Sequence, residues 1–397
     1  MAGNSGRNVA VDYKLQSVLG TPESGSGATR FRINSGAPGL VLNKAKIRSN
    51  ESRSDGMSTR GRHGSRSIAG SYPADATLGT FEDLIACVMR STFDAGVVIT
   101  EADVTSITTT TNTIIAASGS WITLGIKVGD VVVIPHHPTA ANNDLPVRVV
   151  SLTASTLTLA GTPLTADAVA DSAVTITRAP KLVNGTTRQL VTFEESEQDL
   201  DESAQIPDCR VSSLKLTMGT DAMIALDFGI VGRGLYTMLE GASSPGFTSP
   251  TETTTGGLVG TDAGIYMNGA ARTVLTSLDA TLDTQCRTQP VIGADIGPDV
   301  YEGNMQPIQV NFAGIREGQT FLDALDAETD ISLGLVMQDQ AGTGYLSLWL
   351  PFGTVDSVTK QLGTDGPLLE SGTCEFGKLL SGSNVDLSLA VWQSTAA

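Results

Sequence analysis

The run Thr80-Phe81-Glu82-Asp83-Leu84-Ile85-Ala86 returns in the second half of the chain as Thr320-Phe321-Leu322-Asp323-Ala324-Leu325-Asp326. In each copy a threonine stands three residues before an aspartate, a close relative of the capping box. The pattern predicts two short helices, with Thr80 and Thr320 as N-caps and Asp83 and Asp323 as their acidic partners. Each copy follows, by eight residues, an aromatic that closes a strand-like run: Tyr72 after 67–71 and Phe312 after 309–311. Alternating strands follow both helices. A unit written twice constrains the fold more tightly than composition does, because missing a repeat misassigns the whole architecture. A repeat without catalytic residues points to assembly rather than chemistry.

Length and charge narrow the classes further. At 397 residues the chain has room for roughly two to four domains with proper cores. The net charge is −17, which disfavours nucleic acid as a tightly held partner, since phosphate binding needs clustered Lys and Arg. No run of 18 apolar residues exists, so no membrane span is expected. Residues 1–39 are polar and lack the apolar core of a signal peptide; they read as a flexible arm, and the cytoplasm is the default site of synthesis. The four cysteines are scattered and read as buried free thiols. The adjacent His136 and His137 lack the spacing of a metal site, so neither metal nor cofactor is expected.

Along the chain, residues 40–95 form the first part of unit one, with a hairpin whose loop over 48–66 is oversized and basic. Residues 96–180 change character, becoming rich in Val, Thr and Ala. Their short strands, including 113–116, 147–152 and 156–159, predict a small β-barrel or sandwich inserted into the first copy and dispensable for its fold. Unit one resumes over 181–240, where Leu214, Leu216 and Met218 share one strand face and Ile224, Leu226 and Phe228 another. Residues 241–262 read as a linker, and 263–397 as unit two. The fold class is therefore mainly β: two tandem sandwich units, each with one short helix, plus the inserted β domain.

Candidate chemistry is sparse. Residues Gly372 to Lys378 match a phosphate-binding loop up to its lysine, but Leu379 replaces the metal-binding hydroxyl and no helical pattern follows. No nucleophile elbow is present, and no enzyme is expected. Two charged clusters stand out. Lys44, Lys46, Arg48, Arg53, Arg60, Arg62 and Arg66 gather in the hairpin. Glu194, Glu195, Glu197, Asp199, Asp201 and Glu202 place six acids in nine positions. Both read either as solvated loops or as complementary surfaces at a subunit contact. No aromatic lies between Leu40 and Gly70 to stack bases, which weakens a nucleic-acid reading of the loop.

The polar arm, the long hairpin, the strand before the helix at Thr80, the acidic stretch after Thr192-Phe193 and the alternating strand from Val211 together resemble the tail tube proteins of long-tailed, siphovirus-type bacteriophages. The resemblance covers 40–95 and 185–235, and 270–395 more loosely. It implies a helix-flanked β-sandwich whose inner strands join into rings that stack as a conduit. A tandem chain would form a homotrimeric, pseudo-hexameric ring, with a hexamer as the alternative. The implied partners are other copies of the chain, a tape measure protein and tail-end proteins, with DNA in transit only. The implied location is the virion tail, and the host cytoplasm during assembly. Other virion components, such as baseplate or capsid, and a cell-surface adhesin are the competing classes.

Overall fold

The computed structural model describes residues 8–173, 175–362 and 366–397. Fourteen of its strands fall into two successive sets. The first comprises β1 (Val9–Gln16), β2 (Val41–Ile47), β3 (Arg62–Asp75), the helix α1 (Glu82–Met89), β4 (Leu190–Glu197), β5 (Glu202–Gly219), β6 (Ala225–Gly232) and β7 (Thr237–Glu240). The second comprises β8 (Ala263–Met267), β9 (Leu275–Asp283), β10 (Ile308–Ile315), the helix α2 (Thr320–Asp326), β11 (Ile331–Gln338), β12 (Tyr345–Lys360), β13 (Leu369–Phe376) and β14 (Val391–Ser394).

Both sets pair in the same antiparallel order. In the first, β2 pairs β3, β3 pairs β6 and β6 pairs β5; β5 also pairs β4 and β7, and β4 pairs β1. Seven strands further on, every pairing recurs, from β9–β10 through to β11–β8. Two of the irregularities also match. The ladder slips between Val191 and Phe193 and again between Ile331 and Leu333. It slips between Val211 and Ser213 and again between Val355 and Ser357. Such bulges bend a strand. Here they let the long strands β5 and β12 leave one sheet and enter the other. Each set is thus a two-layer sandwich bridged by one bent strand.

Period-two alternation explains which face is buried. Leu214, Leu216 and Met218 on β5, and Leu226, Phe228 and Ile230 on β6, are all buried. Removing each such side chain from water contributes about 1.5–3 kcal/mol. The helices cover this core unequally. α1 buries Leu84, Ile85, Ala86, Cys87, Val88 and Met89, whereas α2 buries only Phe321 and Ala324. Phe81 stacks on Phe228 with centroids 5.5 Å apart, and Phe321 on Phe312 at 4.3 Å. Gly372, which pairs with Phe312 as Phe228 pairs with Tyr72, leaves room for that second stack; a Cβ there would lie 2.8 Å from the Phe312 ring.

The capping expectation fails at both helices. Thr80 precedes the N-cap position, Phe81, and its hydroxyl contacts Thr77 and Thr253 instead. Glu82, not Asp83, closes the helix start. Its carboxylate accepts from the backbone N–H of Gly79 at 2.9 Å and of Phe81 at 3.0 Å, and from the Ser394 hydroxyl at 2.8 Å. In α2, Thr320 and Asp323 both lie inside the helix, and the N-cap Gln319 makes no side-chain cap. Thr80 fails as a cap because tertiary partners hold the preceding loop. Glu82→Ala is expected to cost about 1–3 kcal/mol, since it strands buried donors. Chemical denaturation checks this, and Asp83→Ala should cost less.

Two segments read as loose are packed. Residues 9–39, expected as an arm, contribute β1 to the sheet and bury Tyr13 and Phe31. Phe31 lies 5.4 Å from Tyr72 and 5.2 Å from Phe81, which their polar flanks hide from a periodicity argument. Residues 1–7 of that arm lie outside the described residues. The 241–262 linker buries Phe247 and Leu258 and pairs by single bridges with Gly25, Thr29, Thr77 and Met223. Residues 97–178 hold eight strands that pair among themselves around Trp121, Ile99, Val132 and Leu157. The phosphate-loop-like run from Gly372 lies in β13 and leads into no helix. None of the described helices is long and apolar enough to cross a membrane.

Candidate assembly surfaces

The two sandwiches meet strand to strand. From Ser213 to Gly219, β5 pairs with β9 from Asp283 to Ser277. The inner sheets therefore merge into one wall, in the order β2-β3-β6-β5-β9-β10-β13-β12. Among the described residues, β2 pairs only with β3, and β12 beyond Gly353 only with β13. The wall thus ends in two unpaired edges of opposite kind. Open edges are a pairing hazard unless another strand covers them.

One face of the wall carries the core; alternation puts Asp75, Asp227, Asp279, Asp283 and Glu375 on the other, against Lys215. Lys215 Nζ reaches Asp279 Oδ2 at 3.7 Å, across the join. The exposed face of the wall is therefore acidic.

The basic residues stand at one end of this wall. Lys44 and Lys46 lie on β2, Arg62 and Arg66 on β3, with Arg48, Arg53 and Arg60 in the connection. All residues from 43 to 60 are exposed. Arg66 alone reaches back to the body, at 2.6 Å from Asp295, and Arg53 pairs locally with Glu51 and Asp55. The hairpin is a projecting ribbon without a core of its own.

The acids divide. Glu194 is fully buried and accepts from the backbone N–H groups of Gly246 at 2.7 Å and Phe247 at 2.9 Å. Glu195 accepts from the Leu40 N–H at 2.7 Å and the Tyr72 hydroxyl at 2.6 Å. Both are satisfied within the chain, which corrects their assignment as partners of another subunit. Asp199 accepts from the Asn8 amide. Asp201 is exposed at a left-handed position in the β4–β5 turn, and Glu197 and Glu202 are half-exposed. The run spans a buried strand end and a surface turn, so its acids serve two purposes that counting did not separate.

The inserted domain docks on the outer sheet of the second sandwich. Val131 packs with Val336 and Tyr345. Arg148 passes its guanidinium into the joint. Nη1 donates to Gly129 O at 2.7 Å; Nη2 donates to Leu335 O at 2.8 Å and Ser347 Oγ at 2.7 Å. Gly334 permits this approach, because a Cβ there would lie 2.6 Å from Arg148 Nε. Beside it, Lys181 Nζ bridges Asp130 and Asp386, each at 2.9 Å. Arg178 pairs with Asp94 at 2.8 Å, and Lys127 with Asp386 at 2.6 Å. Burial raises the Asp130 carboxyl despite Lys181 and Arg178. Burial also opposes ionisation of Asp386, but Lys181 and Lys127 outweigh it and leave that carboxyl below its ordinary range. No motif marks these residues, which come from distant parts of the chain.

A family model described as phage tail tube protein matches residues 6–376, and no curated protein matches the chain. The match begins just ahead of β1 and ends on the last residue of β13, taking in the first sandwich, the second except β14, and the wall they share: the chain belongs to the phage tail tube protein family, structural proteins of the bacteriophage virion.

Proposed function

We propose that three copies of this chain close head to tail into a ring, that rings stack into the tail tube, and that DNA passes through the acidic bore on its way to the host. The observation that carries this reading is the wall: eight strands from two alike sandwiches, ending in two unlike free edges. A heterologous contact of that kind closes if its rotation divides a full turn, and otherwise grows as a helix. Three chains then supply six nearly equivalent sandwiches. Acids on the bore face repel phosphate, so DNA slides rather than binds. The inserted domain sits on the outer sheet and faces away from the bore.

Electron microscopy of the concentrated protein tests this. Rings of three chains with six-fold pseudo-symmetry, alone or stacked, are expected. Rings of six chains, or monomers at every concentration, would falsify it.

The projecting tip of the basic hairpin, from Arg48 to Arg62, is assigned to contacts between stacked rings. Its partners are Asp201 and Glu202 at the β4–β5 turn, beside the exposed Glu240. Each exposed pair contributes about 0–1 kcal/mol, but the contact repeats around every ring. Screening beyond roughly 8–10 Å makes stacking salt-sensitive. Changing Arg48, Arg53, Arg60 and Arg62 together to Ser should leave the chain folded and the rings intact, and impair tube growth. Sedimentation across a salt series reads this; unchanged tube growth at all salt concentrations counts against the assignment.

A further inference from the structure

We propose that β2 of one chain adds to the free edge of β12 in a second copy, in the register that β9 already uses on β5, with Lys44 set against Asp356. The inference rests on the ring reading above and specifies its join.

The register follows from the two matching sets of strands. Counting from the aligned pairs Tyr72 with Phe312 and the two inner bulges, Leu214 corresponds to Val358, Ser213 to Ser357 and Ser212 to Asp356. On the other side, Leu42 corresponds to Leu282, Asn43 to Asp283 and Lys44 to Thr284. Within the chain Ser213 faces Asp283, Leu214 faces Leu282 and Lys215 faces Thr281. Transposed, Ser357 faces Asn43, Val358 faces Leu42 and Thr359 faces Val41 of the second copy.

Burial agrees with that transposition. Leu214 and Leu282 are both fully buried at the internal join. Their counterparts Val358 and Leu42 pack against the core but stay half-buried, and Val41 is 53% exposed. Leu42 and Val358 are apolar residues at core-facing positions that lack their second neighbour. Strand addition supplies it and satisfies the backbone edge at once.

The bulge decides the pairing chemistry. At the internal join, Thr284 donates both its N–H and its hydroxyl to the Ser212 carbonyl, each at 2.8 Å. At the external join the side chains that flank the equivalent backbone contact are Lys44 and Asp356. Asp356 is exposed, and among the described residues no cation pairs with it; desolvation and the charge of Glu375 both raise its carboxyl. A lysine arriving from another chain relieves that repulsion. A neutral pair inside the chain and a charged pair between chains make the two joins non-interchangeable, which orders the sandwiches around the ring.

Cysteine pairing tests the register, in a Cys286→Ser background because Cys286 is the one half-exposed thiol among the four. Residues directly opposite on antiparallel strands are close enough for a disulfide. Ser213→Cys with Asp283→Cys is the internal control and should give a cross-linked monomer. Asn43→Cys with Ser357→Cys should give chains linked in series on a non-reducing gel, while either change alone gives none. Lys44→Asp and Asp356→Lys should each abolish ring formation while the monomer's thermal unfolding is unchanged, and the two together should restore it. Rings that form without the Asn43–Ser357 link overturn this register but leave the tube reading standing. A double charge reversal no better than either single change overturns the Lys44–Asp356 contact. Absence of any assembly by the unmodified chain overturns both readings.

Discussion

Arg148→Ala should destabilise the chain by roughly 3–5 kcal/mol, as large an effect as any single polar substitution is expected to have here. The side chain is 3% exposed, and burial holds its guanidinium down to about 10, still charged at neutral pH. Truncation removes the donor that satisfies Gly129, Leu335 and Ser347 at once, and it opens a cavity between the inserted domain and the outer sheet. Calorimetry reads the loss. The transition should also become biphasic, because this joint couples the domain to the second sandwich. A loss below about 1 kcal/mol would show that water replaces the guanidinium without penalty. The same joint revises the expectation that residues 96–180 are dispensable. Deleting them exposes Val336 and Tyr345 and removes Asp130 from Lys181. The deleted chain should be less stable and aggregation-prone, even though the wall is untouched.

Lys181→Met should cost about 3–5 kcal/mol at neutral pH, because it takes from the buried Asp130 its closest cation, leaving Arg178 at 3.9 Å, and from Asp386 one of its two. The deficit has a defined pH dependence. Burial already raises the Asp130 carboxyl, so its ionised form is the one that destabilises. With Lys181 gone that carboxyl rises further. The variant's deficit should therefore shrink as pH falls and Asp130 takes up a proton. Two other carboxylates of the unmodified chain, Asp386 and Asp94, behave in the opposite sense. Asp386 is held below the ordinary carboxylate range against burial by Lys181 and Lys127, and Asp94 against burial by Arg178 and the Lys181 and Gly96 N–H groups. A depressed carboxylate contributes stability above its unfolded value of 3.8, and loses it as pH falls through the folded value. Denaturant midpoints at about pH 7 and pH 4 read the Asp130 effect, and midpoints carried down to about pH 2 read the loss from Asp386 and Asp94. A deficit that grew on acidification would show that Asp130 is not the destabilising group.

What the residue order determined by itself is the unit and its arithmetic. Tyr72 and Phe312 at equal distances from two like helices, and alternation along 214–218 and 224–228, require only local periodicity, and periodicity survives in one dimension. It also determined the acidic balance and the projecting basic hairpin, since polar runs without apolar residues cannot bury themselves. Local reading failed where contacts are non-local. Thr80 lost its cap because Thr77 and Thr253 hold it, and Glu82 gained the role through Ser394 in the last strand. Glu194 and Glu195 looked like surface acids until Gly246, Phe247, Leu40 and Tyr72 were brought to them. Tyr13 and Phe31 sat in a polar stretch, yet they fill the first core. The tertiary structure alone decided that β5 and β12 bend between sheets, that β9 covers one edge of β5, and that the matching edge of β12 stays open. Each of these depends on which strands lie side by side, and a backbone edge is chemically the same whatever its sequence. Its partner is chosen by packing and register across hundreds of residues, which no local pattern records.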